Sequence, residues 1–301
     1  METEQHSPDP GDRLEQISVR ADTNLQLLVS LITDRYRISR ITCFGCQHPY
    51  REFSRPDDHG GTWNHYFILL ETMELYAESV IQDYLNNRFT CGKVFVLAHH
   101  HGKVREMLEA GHRFYCQVRR SGVLLFTDEP DTVPHTFSVS KNWLERAGEH
   151  FKTHFGMSRS FLDGAAAQLE TGQPRIALFL LHQTMEQACI GLIRVFLGYR
   201  ANFHNLGRLL ELCSCFIRPP FSLFPANTEG EQRQFRMLCR SYTDARYRED
   251  FTIHAEDCRD ILKAVGAFAK QSEEICLNRL PVLSEYLTLI WIRPCSYEPN
   301  R

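Results

Sequence analysis

The sequence predicts an α+β chain of two domains, an α/β half followed by an all-helical half. Two observations carry this. Short apolar runs alternate with helical patterns as far as Phe126, the arrangement that builds a sheet flanked by helices. After a polar stretch at 127–140 holding two prolines, the strand signals stop and only helical periodicity continues. A length of 301 residues suits two domains, and 43% hydrophobic residues is enough for two cores.

Taken in order, residues 1–12 are polar and expected to be a disordered lead. Leu14, Ile17, Leu25, Leu28 and Ile32 recur at helical spacing between Arg13 and Asp34. Ile38 to Phe44 reads as a strand running into a turn at Gly45. Residues 47–62, rich in Pro, Asp and Gly, read as a loop. His65 to Leu70 is a second strand, Glu74 to Asn87 a helix closed by Gly92, and Val94 to Ala98 a third strand. Lys103 to Ala110 is a short helix ended by Gly111, and Val123 to Phe126 a fourth strand.

Helices follow at about 143–170, 175–197, 203–216, 230–248 and 253–278. In the second of these, Pro174 suits the first turn and Gly198 suits the end. Leu178, Leu181, Met185, Ala188, Leu192 and Val195 line one face between them. Residues 217–228 form a loop, and Pro281 to Ile292 is one more short helix or an extended arm. The predicted boundaries are a lead over 1–12, an α/β domain over 13–128, a linker over 129–142, a helical domain over 143–278 and an extension over 279–301.

Net charge is −3, so the chain lacks the overall basic bias of a dedicated nucleic-acid binder. No stretch approaches the roughly 20 apolar residues of a membrane span, so no membrane partner is expected. The polar N-terminus lacks the apolar core of a signal peptide, which places the chain in the cytoplasm. The eleven cysteines are then free thiols. Cys43-x-x-Cys46 and Cys213-x-Cys215 are isolated pairs and do not make a zinc motif, so no metal is expected. His99, His100 and His101 point in different directions on a helix or a strand and read as a surface loop.

The order of elements from Ile41 to Phe126 resembles the minimal nucleotidyltransferase family. That family ends its first strand in a Gly-Ser turn and carries Asp-x-Asp on the next, because its chemistry needs carboxylates to hold magnesium ions. Here the turn is Gly45-Cys46. The registers that would carry the aspartates read Asn64 and Tyr66, or His65 and Phe67. Val94 to Leu97 has no carboxylate either. Asp57 and Asp58 precede the strand and Glu71 follows it, so a shifted site would have to use them. The resemblance therefore implies the fold and argues against nucleotidyl transfer. Two readings stand: a packing scaffold, which the missing carboxylates favour, or a nucleotide held without metal at the Gly45 turn. No cofactor is expected.

Residues 151–278 resemble the HEPN domain (higher-eukaryote and prokaryote nucleotide-binding), an up-and-down helical bundle. Three segments carry this: Ala177 to Ala188, including His182-Gln183-Thr184-Met185-Glu186; Gly198-Tyr199 followed by His204-Asn205-Leu206 and Leu209 to Leu212; and Tyr242-Thr243-Asp244-Ala245-Arg246-Tyr247. His182 and Glu186, four apart, face the same way off the apolar stripe. They are either an ion pair or the lining of a functional groove.

HEPN ribonucleases use an Arg followed a few residues later by His, drawn from both subunits of a dimer. The arginine stabilises phosphate charge and the histidine moves a proton. Arg248 and His254, separated by five residues, meet that pattern. The Ala245-Arg246-Tyr247 signature instead resembles a sacsin-like branch associated with nucleotide binding. By that resemblance His182, Glu186, Tyr242, Asp244, Arg246, Tyr247 and Arg248 are candidate nucleotide-binding residues. Arg233, Arg236 and Arg240 form a basic stripe on one helix face. Thr252 is the predicted cap of the last helix, with Glu256 and Asp257 in its first turn.

The functions implied are a non-catalytic nucleotide- or RNA-binding module, a metal-independent endoribonuclease, or a ligand-free scaffold of bacterial toxin–antitoxin or defence type. Each acts as a homodimer through the helical domain.

Overall fold

The computed structural model describes residues 23–50, 63–128, 138–217 and 228–281. The predicted lead, most of the loop at 51–62, the linker core, the loop around Pro220 and the C-terminal arm lie outside these. The described order is α1 (Thr23–Thr33), β1 (Ile38–Tyr50), β2 (Trp63–Thr72), α2 (Glu78–Arg88), β3 (Lys93–His100), α3 (His101–Glu109), α4 (Arg113–Ser121) and β4 (Val123–Thr127). The helical half follows as α5 (Trp143–Glu170), α6 (Pro174–Leu197), α7 (Leu206–Ser214), α8 (Glu229–Tyr247) and α9 (Ala255–Arg279).

The four strands form one mixed sheet in the order β3-β2-β1-β4. β1 is antiparallel to β2 and to β4, while β2 and β3 run parallel with α2 crossing between them. Tyr66 to Leu70 is an unbroken buried run because both faces of the sheet are covered. Tyr66, Ile68, Leu70, Val94 and Val96 pack with Leu25, Leu28 and Ile32 of α1 and Ile81 and Leu85 of α2. Phe44, Phe67, Leu69, Phe95 and Leu97 belong to a second cluster with α3, α4 and the helical half. The two halves therefore share one continuous core.

Several expected boundaries are corrected. β1 does not turn at Gly45; it runs on to Tyr50, with an irregularity between Cys43 and Gly45 where Phe44 joins the core. Residues 47–50, expected in a loop, are strand. α2 begins at Glu78, whose carboxylate accepts from Ala98 N at 3.0 Å, and ends at Arg88, before Gly92. The histidine run is no loop: His99 and His100 end β3, and His101 starts α3. α4 was not expected, because basic residues interrupt its apolar pattern. Its Arg113 is buried, donates to Val195 O at 2.9 Å and lies 4.1 Å from the Trp143 ring. Burial lowers the Arg113 pKa to about 10.

In the helical half α6 is the central helix, packed by α5, α7, α8 and α9. Pro174 opens it, and Gly198 ends it at φ +66°, a backbone angle that favours glycine. α6 is long and apolar enough to cross a membrane by length and composition, but most of it is buried in this core. Thr228 and Glu231 close α8 with a reciprocal capping box. Thr252 does not cap α9; the cap position is His254, whose ring makes no capping bond.

Candidate functional site

The candidate residues of the helical half fall into two groups. In the first, α6 buries His182 and Glu186, at 1% and 3% exposure, so the expected pair is internal rather than at the surface. Their separation is 3.6 Å from Nδ1 to Oε2. The other Glu186 oxygen sits 2.8 Å from Nδ1 of His204, at the start of the segment before α7. Gln183 Nε2 approaches both His182 and Glu186, at 3.3 and 3.4 Å.

Tyr242 of α8 covers this cluster. Its ring is nearly parallel to that of His204, 8° apart with centroids at 5.6 Å, and lies 5.3 Å from His182. The Arg246 guanidinium sits 3.9 Å from the Tyr242 centroid and 4.9 Å from that of Tyr247, while its Nε donates to Tyr242 O at 2.6 Å. Among the described residues Arg246 has no carboxylate partner, so its charge is held over aromatic rings with N–H groups left for an anion. Burial, then the charges of His204 and Arg246, lower the His182 pKa to about 4. His182 is therefore neutral near pH 7.

The second group lies at the end of α8. Arg248 caps the helix and pairs with Asp250 at 2.9 Å and with Asp244 at 3.8 Å. The exposed His254 follows at the cap of α9. Asp244 thus serves Arg248 and does not join the aromatic cluster. Of the basic stripe, Arg233 is held by Asp257 at 2.6 Å. His204 was quoted in the sequence signature but not recognised as a site residue. Its contact with Glu186 spans eighteen positions, which helical spacing does not reveal.

The sheet half shows why the Gly45 region is not an open site. A Cβ at Gly45 would stand 2.5 Å from Cys215 Sγ. His65 Nε2 lies 3.0 Å from Glu211 of α7, and the Gln47 side chain donates to Ser214 O. The helical half thus covers the Gly45 region. Glu71, the carboxylate of a shifted metal site, is held by Arg119 at 2.6 Å and Arg40 at 3.9 Å. Asp57 and Asp58 lie outside the described residues. Among the described residues no three His, Cys, Asp or Glu side chains converge as metal ligands. The ten described cysteines are free thiols.

Residues 141–275 match the HEPN domain family. The match covers α6, α7 and α8, and so holds every residue of the aromatic cluster. No curated protein matches the chain. Among solved structures the chain is similar to a nucleotidyltransferase-like protein from Exiguobacterium sibiricum 255-15. The two are 10% identical at a TM-score of 0.27, with 90% of this chain and 80% of that one covered. A likeness of that degree carries no argument about the sheet half.

Proposed function

We propose that the HEPN domain binds a nucleotide or a short RNA segment at the His182–Glu186–His204–Tyr242–Arg246 cluster, without catalysing a reaction. The observation that carries this is Arg246, held over the Tyr242 ring with no carboxylate partner among the described residues. Its guanidinium offers donors to a phosphate, and Tyr247, 74% exposed beside it, offers a face on which a base can stack. The nearby Glu186 accepts from base or ribose hydroxyl donors once His204 turns aside. In this reading the chain is a cytoplasmic homodimer. The exposed Ile176 of α6 lies near the end of α8, where Arg175 Nε donates to Ala245 O at 2.9 Å, and with Tyr247 it supplies an apolar edge for that contact.

The sheet half is a scaffold in this reading. Its Gly45 region is covered by α7, and among the described residues no paired carboxylates stand there. Calorimetry with ATP, GTP and a short single-stranded RNA tests the proposal. Heat of binding that disappears in Arg246→Ala is the expected result. Absence of heat for all ligands at high micromolar protein rejects it.

A second reading, metal-independent RNA cleavage by Arg248 and His254, is favoured by one observation: the His254 ring makes no capping bond and is exposed on the same short connection as Arg248. Against it, Arg248 is already neutralised by Asp250 and Asp244. Incubation with structured RNA in EDTA decides. Cleavage lost in His254→Ala supports this second reading over the first.

A further inference from the structure

A separate group of basic side chains lies where α4, α5 and the end of α6 meet. Arg146, His150 and His154 recur at four-residue spacing on α5 and so form one row. The rings of His150 and His154 are 6.0 Å apart. His154 is fixed against α6 by a 2.9 Å contact between its Nδ1 and Gln187 Oε1. Gln187, Gly191 and Arg194 share that α6 face by their spacing. Gly191 permits the close approach, since a Cβ there would stand 3.2 Å from His154 Cβ and 2.8 Å from the Phe155 ring. His112, at the cap of α4, lies close enough to feel the charges of Arg194 and Arg146.

These residues are like-charged or become so on protonation, and among the described residues no carboxylate pairs with them. Arg194 Nε and His112 Nδ1 are buried without a hydrogen-bond partner. Among the described residues no carboxylate pairs with Arg146, Arg194 or Arg200. Lys103, at the edge, is held by Glu106 at 2.9 Å. Glu145 and Glu149 of α5 are exposed and make no ion pair among the described residues. Burial first, then the charges of Arg194 and Arg146, holds His112 and His150 below the usual histidine range. Half-buried donors with no acceptor are costly unless a ligand supplies the acceptor.

We propose that this basic cluster binds a phosphate group through Arg146, His150, His154 and Arg194. A tetrahedral dianion presents acceptors on every side, which suits donors drawn from two packed helices better than a planar carboxylate does. Protonated histidines would then gain a partner in place of a repelling neighbour. The basic cluster contains none of the residues of the Tyr242 cluster, so it stands or falls apart from the proposed nucleotide site.

The test uses the full chain with inorganic phosphate and, in a separate arm, glycerol phosphate, each against chloride at equal ionic strength. The expected result is a rise in melting temperature over chloride and a shift of the His150 and His154 ring resonances. Arg194→Gln should weaken the response roughly tenfold. Arg146→Gln, at the exposed rim where misfolding is no concern, should do the same, and Tyr242→Ala should leave it unchanged. A stronger response to the ester marks an esterified ligand, and a stronger response to the inorganic ion marks free phosphate. Responses equal to chloride, or undiminished in Arg146→Gln, overturn the proposal.

Discussion

Arg208 of α7 reaches across the two halves of the chain and places its guanidinium 2.8 Å from Glu78 Oε1 on α2. The same group donates to Val96 O at 3.0 Å and lies 4.8 Å from the Phe95 ring. Glu78 in turn accepts from Ala98 N, so one arginine ties α7 to α2 and to the third strand. Removing it leaves a largely buried carboxylate and a strand carbonyl unpaired. Arg208→Ala should cost about 2 kcal/mol in urea unfolding, in line with breaking a partly buried charged pair. A loss under about 0.5 kcal/mol would mean that the tie is merely a surface pair.

Gly45 and Cys215 provide a second test of the same interface. Gly45→Ala places a methyl 2.5 Å from Cys215 Sγ, which forces a shift in a packed region and should cost about 1–3 kcal/mol. Cys215→Ala removes the clashing sulfur and should recover part of that loss in the double variant. A double-mutant cycle reads the coupling directly. Strict additivity of the two substitutions would show that they do not touch.

The buried His182 makes stability depend on pH. Its folded-state pKa is about 4 against an ordinary 6.5, with burial as the main cause. Between those values the unfolded chain takes up a proton that the folded chain refuses. Stability therefore falls as pH drops from about 6.5 through 4. His99, also lowered to about 4 by burial, acts with the same sign. The raised pKa values of Glu71 and Glu78 act in the opposite sense, so the measurement compares wild type with His182→Gln. The urea midpoint should drop less in the variant than in wild type on going from about pH 7 to about pH 5. Equal drops would place the proton on other groups.

At the proposed nucleotide site, Tyr242→Ala removes the ring that supports Arg246. If the site acts as proposed, nucleotide affinity should fall at least tenfold, consistent with losing about 1–3 kcal/mol of stacking and cation support. Tyr242→Phe keeps the ring and should retain affinity. Calorimetry on the two variants separates ring stacking from the hydroxyl. Unchanged binding in Tyr242→Ala would dismiss the aromatic cluster as the site.

The architecture was legible because its signals are local. Pro174 and Gly198 bound α6, alternating runs give the strands, and the HEPN segments lie in order. What stayed hidden depends on contacts far apart in sequence. β1 passes through Gly45 because α7 packs over it, and no local pattern reports that packing. α4 escaped because Arg113, a charged residue, is buried through a carbonyl 82 positions away. His182 and Glu186 were named from spacing, yet their burial and the role of His204 required the fold of α8 over α6. Thr252 looked like a cap by residue type, but the chain enters α9 two residues later.

The roof that α7 places over Phe67, Phe95 and Gly45 has a consequence for how the chain can be divided. A sheet half released from its helical neighbour would expose a wide aromatic patch, the kind of surface that drives aggregation rather than independent function. Neither half is expected to fold to a soluble product when expressed without the other.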